Sequence, residues 1–137
     1  MGLREDPACW RCNETAGTLT HMLWSCPKAQ SWWTAIYENL KLAVGQDFPF
    51  TPSLFILGES TSLKGFSEPE ARWILTAIML GRKLLVREWK ARDLPWPSCW
   101  STQLSVVAAY EEMTYRLQNR LDAYYAKWGK YISLVTR

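Results

Sequence analysis

Four side chains near the amino terminus have the types and the spacing of a metal site. Cys9, Cys12, His21 and Cys26 form Cys-x2-Cys-x8-His-x4-Cys within 18 residues, and His21 is the only histidine of the chain. Zn²⁺ in structural sites takes four soft or borderline donors in a tetrahedron, Cys-x2-Cys supplying one two-ligand turn and a second pair closing the shell. A disulfide framework belongs to secreted chains and gives no reason for the lone histidine to fall among the cysteines; zinc predicts that placement. The competing account is buried free thiols beside a chance histidine. A full set of protein ligands leaves no position for water, so the ion is expected to be structural and not catalytic. Three thiolates and a divalent ion together add −1, which takes the formal charge from +3 to +2 and makes net charge a weak argument for nucleic acid.

The elements that must position these ligands follow from the punctuation of the chain. Cys26-Pro27 opens a helix, since proline suits a first turn whose N–H is unpaired anyway. Trp32, Trp33, Ile36, Tyr37, Leu40 and Val44 recur at helical spacing up to Gly45, so the last ligand stands at the entrance of the first helix. Residues 45 to 66 hold two Pro and three Gly around Leu54-Phe55-Ile56-Leu57, which reads as a packed loop or a single extended segment plugging the core. Ser67-Glu68-Pro69-Glu70 is a capping box. The helix it starts carries Trp73, Ile74, Ala77, Ile78, Gly81, Leu84, Leu85 and Trp89 as its buried stripe. A third helix carries Trp100, Leu104, Val107, Tyr110, Met113, Leu117, Leu121, Tyr124 and Trp128. At some 30 residues it is long for a globular helix, and Asn119 marks where it would bend or break. The expected fold is mostly α: a Cys-Cys-His-Cys zinc knuckle packed on a three-helix bundle. One domain covers 1–137, with the knuckle at 1–26 and helices at 27–44, 67–93 and 98–128.

Composition supports a folded domain. Of 137 residues, 48% are hydrophobic and 21% charged, and nine are tryptophan, so indole rings whose N–H groups need partners should dominate the core. Charges interrupt every apolar run, including Trp73 to Leu80, which ends at Arg82, so no membrane span is expected. The opening Met1-Gly2-Leu3-Arg4-Glu5-Asp6 has neither a signal-peptide core nor the Ser or Thr of a myristoylation motif at Asp6. An intracellular location, cytoplasm and nucleus, is expected. Asp6, Asp47, Asp93 and Asp122 are scattered, which offers no two-metal carboxylate cluster, and no enzymatic activity or small-molecule substrate is expected. Cys99 reads as a buried thiol.

The finger and the helix after it carry a specific resemblance. Cys9-Trp10-Arg11-Cys12, then Gly17 through Lys28 with His21 and Cys26-Pro27, then Trp32-Trp33 resemble the zinc-binding segment that follows the reverse transcriptase domain in LINE-type non-LTR retrotransposons. Arg82-Lys83-Leu84-Leu85, Trp89-Lys90, Trp100, Glu112 through Leu117 and Trp128 are similar to the tail of the same polyproteins. The resemblance implies an accessory region that holds template RNA or target DNA, and a chain that is a fragment or a host-retained remnant of a larger machine.

The residues that could touch nucleic acid can be named. Trp10 and Trp24, each within two residues of a ligand, either stack on an unpaired base or pack on Trp32 or Trp33. Arg11 in the Cys-x2-Cys turn and Lys28 in the first helical turn could reach phosphate. Lys83, Arg87 and Lys90 lie at i, i+4 and i+7 with Arg82 alongside, a face that could follow a sugar-phosphate backbone or simply be solvated. Arg116, Arg120, Lys127 and Lys130 are expected on the solvent side of the third helix, and the tyrosines from Tyr110 to Tyr131 in its core and rim. Two functions remain open: a non-catalytic, zinc-dependent nucleic-acid-binding module that prefers single-stranded or structured RNA over a defined duplex sequence, or a structural domain docking on a reverse transcriptase core or host protein, in which zinc only stabilises the fold. An apolar patch left exposed, for instance around Phe55, Trp73 or Trp89, would favour the second.

Overall fold

The computed structural model describes residues 21–88 and 96–135, and among these every regular element is helical. Helix α1 spans Pro27–Val44, the range its sequence signals predict. Pro27 occupies its first position, and Gly45 ends it in the left-handed region at φ 70°, donating its N–H to the Lys41 carbonyl at 2.8 Å. Ala29, Trp32, Trp33, Ile36, Leu40, Ala43 and Val44 form its buried face.

The segment after α1 is packed, as one of the two expectations had it, and it is not a single extended segment. It contains a four-residue helix, α2 (Pro52–Phe55), and a 3₁₀ turn, Ser60–Leu63. Thr51 accepts the Leu54 N–H and Pro52 takes the first helical position, so Thr-Pro-Ser acts as a helix start despite the shortness of the apolar insert. The expected plug is there: Leu54, Phe55 and Leu63 are buried, and Phe55 meets Trp33 edge-on at 5.4 Å.

Helix α3 spans Glu68–Arg87 and buries Trp73, Ile74, Ala77, Ile78, Leu80, Gly81, Leu84 and Leu85. It stops short of the expected residue 93, with the Glu88 N–H shared between the Leu84 and Leu85 carbonyls. Its cap realises the serine half of the expected capping box, with Glu70 reaching back to the Ser67 hydroxyl, and adds a strut. Ser67 Oγ accepts the Glu70 N–H at 3.3 Å and donates to Glu70 Oε1 at 2.9 Å, while Glu70 Oε2 accepts from Lys130 Nζ at 2.7 Å. Gly81 lies where α3 passes close to α1. A β-carbon there would lie 2.8 Å from Ile36 Cδ1 and 2.9 Å from the Trp33 ring. The bare backbone lets the Trp32 indole N–H reach the Gly81 carbonyl at 3.3 Å.

The expected third helix is two helices, α4 (Pro97–Leu117) and α5 (Leu121–Val135), so the described residues hold four long helices instead of three. The break is a Schellman motif. Asn119 takes φ 59°, its N–H bonds the Arg116 carbonyl at 3.1 Å, and the Arg120 N–H bonds the Tyr115 carbonyl at 2.8 Å. Asn tolerates the left-handed region better than other side chains, which explains the reversal at this residue. The reversal also overturns the single predicted stripe. Trp100, Leu104 and Ala108 of α4 and Tyr124, Trp128 and Tyr131 of α5 are buried, whereas Tyr110, Met113 and Leu117 are exposed. Nor are the cations of α5 simply solvated. Lys127 Nζ donates to Glu111 Oε1 at 2.8 Å beside the Trp128 indole at 3.0 Å, tying α5 to α4. Lys130 ties α5 to Glu70 of α3 and, at 3.4 Å, to the Val44 carbonyl at the end of α1.

The Lys130 hydrogen bond, assisted by Ser67, holds the Glu70 carboxyl below its usual range. Its contribution is present above the ordinary unfolded glutamate value of about 4.3 and is lost as pH falls through the depressed folded value. Glu70→Gln is therefore expected to lower unfolding stability at pH 7 by about 1 kcal/mol. In urea titrations across pH, the gap between wild type and variant should close below about pH 4; a gap unchanged into acid would contradict the assignment.

Candidate metal and nucleic-acid site

The segment leading into α1 is a π-helical turn, His21–Ser25, closed by a hydrogen bond of 2.7 Å from the Cys26 N–H to the His21 carbonyl. Two of the four expected metal donors therefore bracket one turn of backbone at the entrance of α1. The wider i to i+5 spacing of a π turn is rare and recurs at functional sites. Side chains of α1 fasten the turn from below: the Trp33 indole N–H donates to the Leu23 carbonyl at 2.8 Å, and Gln30 Nε2 to the Trp24 carbonyl at 2.7 Å. Cys26 is wholly buried and packs with Met22 and Ala29 in a small apolar cluster separate from the main core, while His21 is half-buried. Cys9 and Cys12 lie outside the described residues, as do Trp10 and Arg11. Among the described residues alone no group of three potential ligands converges.

The nucleic-acid candidates separate. Trp24 packs against the main core, its ring on Phe50 at 4.9 Å and Phe55 at 5.9 Å. Lys28 is half-buried in the first turn of α1. Arg82 turns inward from the basic face: its guanidinium donates to the Phe55 and Ile56 carbonyls at 3.4 and 3.1 Å, and burial pushes its pKa down. Lys83 and Arg87 remain exposed one turn apart, Arg87 at 3.6 Å from its neighbour Glu88. Lys90 lies outside the described residues, with Trp89. Among the described residues the exposed part of the basic face is therefore Lys83 and Arg87, while Arg82 joins α3 to α2.

Two exposed features go beyond the expected surface. Trp96 is 81% exposed at the start of α4. Val106, Tyr110, Met113 and Leu117 line the outer face of α4 in steps of four, three and four, all exposed and Leu117 at 82%. The signal for the first is present in Pro95-Trp96-Pro97, since a tryptophan between two prolines cannot belong to a helical stripe. The patches suggested for exposure are closed at Phe55 and Trp73, both buried. Among the described residues no helix is long and apolar enough to cross a membrane. Cys99 is half-buried.

Compared with known protein families the chain matches none, and no solved structure matches it.

If Arg82 serves the fold, Arg82→Gln should cost about 1 to 2 kcal/mol because two carbonyls are deprived of a charged donor. Lys83→Gln, one residue on but exposed, should stay within about 0.5 kcal/mol in the same denaturant titration. Equal effects of the two changes would refute the division.

Proposed function

We propose that this chain is a non-catalytic, zinc-dependent nucleic-acid-binding accessory domain of a retrotransposon reverse transcriptase, holding template RNA or target DNA. The observation that carries the reading is the lone histidine among the cysteines, together with its partner Cys26 sealed beneath a turn that α1 clamps in place. Cys9, Cys12, His21 and Cys26 would hold the ion, and three thiolates with one imidazole are the donor set of a closed structural site. Bound there, zinc supplies folding energy and no reaction. As a zinc ligand, the buried Cys26 thiolate would have its charge balanced by the ion.

The bound strand would lie against Lys83 and Arg87, with Arg11, Lys28 and Lys90 as further cations along its path. Arg82 takes no part beyond holding α3 to α2. A second reading has its own observation in the apolar stripe of α4, whose alternating steps of four and three match the seam of a helix pair. In that reading the domain docks on a reverse transcriptase core or a host protein, and zinc only steadies the first helix.

Metal analysis of the purified protein is expected to give a single zinc per chain. Cys26→Ser or His21→Ala should lose the metal and much of the helical circular dichroism, because zinc contributes on the order of 10 kcal/mol in small modules. A retained fold without zinc would refute the metal site. For nucleic acid, fluorescence anisotropy with single-stranded RNA should show binding that weakens steeply with salt. The double change Lys83→Gln and Arg87→Gln should reduce the log–log salt slope by about 1.4, since each phosphate that a cation neutralises on a single strand adds about 0.7. No binding of RNA or DNA at low salt would overturn the reading in favour of protein docking.

A further inference from the structure

Four of the seven described tryptophans, Trp32, Trp33, Trp100 and Trp128, are buried and spend their indole N–H groups on carbonyls or a carboxylate. Trp73 is buried too, and Trp24 is partly buried against phenylalanine rings. Trp96 alone among the described tryptophans presents most of its surface to solvent. Trp96 leaves uncovered a large apolar ring of the kind that the other described indoles bury, so its face is open to a contact.

Its backbone is held rigidly. Pro97 keeps Trp96 extended, at φ −66° and ψ 145°, and the Trp96 carbonyl accepts the Cys99 N–H at 2.8 Å as the first bond of α4. Its position in the fold follows from the packing of α4 on α3. The Trp100 indole bonds the Ala77 carbonyl at 2.9 Å, while Leu104 and Ser105 share a hollow with Trp73. As α4 advances, its partners on α3 recede, so the helices are antiparallel. The turn before Trp100 therefore stands beside the last turns of α3, the part that carries exposed Lys83 and Arg87.

We propose that Trp96 is the stacking platform for an unpaired base, with Lys83 and Arg87 holding the phosphates of the same strand. The inference rests on the nucleic-acid reading above and narrows it to single strands, because only an unstacked base offers its face to an indole. An aromatic ring at the same end of a helix pair as two exposed cations supplies both elements of a sequence-tolerant single-strand groove. The shared chemistry is a base face with a backbone phosphate, which RNA and DNA strands both supply.

The test measures binding of oligouridine RNA, oligothymidine DNA of equal length, and a duplex of mixed sequence by the zinc-loaded protein. Trp96→Ala is expected to weaken single-strand binding roughly 5- to 100-fold, the range for removal of one stacked base. It should leave duplex binding, zinc content and melting temperature unchanged, because the ring is exposed in the fold. The salt slope should also stay as in wild type, since stacking releases no counterions, and Trp96→Phe should recover most of the affinity. The strand bound more tightly identifies the nucleic acid. Unchanged single-strand affinity in Trp96→Ala, with salt-sensitive binding intact, overturns the platform and leaves the nucleic-acid reading standing. Absence of binding by the wild-type protein overturns both.

Discussion

Trp33 is the residue on which the rest of the arrangement depends. Its ring is wholly buried, set against the bare backbone of Gly81 on one side and meeting Phe55 edge-to-face on another. Its N–H reaches out of the core to the Leu23 carbonyl. One side chain thus sets the spacing of α1 and α3, seats the plug between them and fastens the turn that carries His21 and Cys26. An indole can do this because it joins a large apolar surface to one directional donor, which is costly to bury unpaired.

The same economy governs the charges. Glu70, Glu111 and Arg82 lie where helices meet, and each is consumed by the fold: Glu70 joins α3 to α5, Glu111 joins α4 to α5, and Arg82 joins α3 to α2. The potential left for a partner comes from the remaining cations, with Lys83 and Arg87 at the far end of α3. A modest net charge of +3 is no obstacle to strand binding, since a local group of exposed cations and not the total charge sets the field a strand meets.

Both ends of α1 are legible in the sequence because their signals are local. Pro27 and Gly45 act through their own backbone preferences, and both stand where the sequence puts them. The same holds for Ser67 and Glu70, although the strut to Lys130 spans 60 positions of sequence and no local pattern could reveal it. The region after Pro97 is harder to read, for two reasons. Asn119 offers only a hint of reversal, and helix periodicity continues across it in the sequence. Once the chain turns there, α4 and α5 face each other, and apolar residues that would form one stripe on a straight helix fall on different sides. Of the two apolar faces of α4, the neighbours α3 and α5 cover the one with Trp100, Leu104 and Ala108, leaving Tyr110 and Leu117 outside.

The sequence alone determined the helical class, the bounds of α1, the capped start of α3 and the donor spacing from Cys9 to Cys26, because each is a matter of short-range backbone preference or of residue type. Tertiary structure decided which groups are exposed. Whether Arg82 faces solvent or the Ile56 carbonyl, and whether Trp96 or Trp24 is covered, depends on neighbours far away in the chain. Propensity acts within a few residues, whereas burial is shared among elements that only packing brings together.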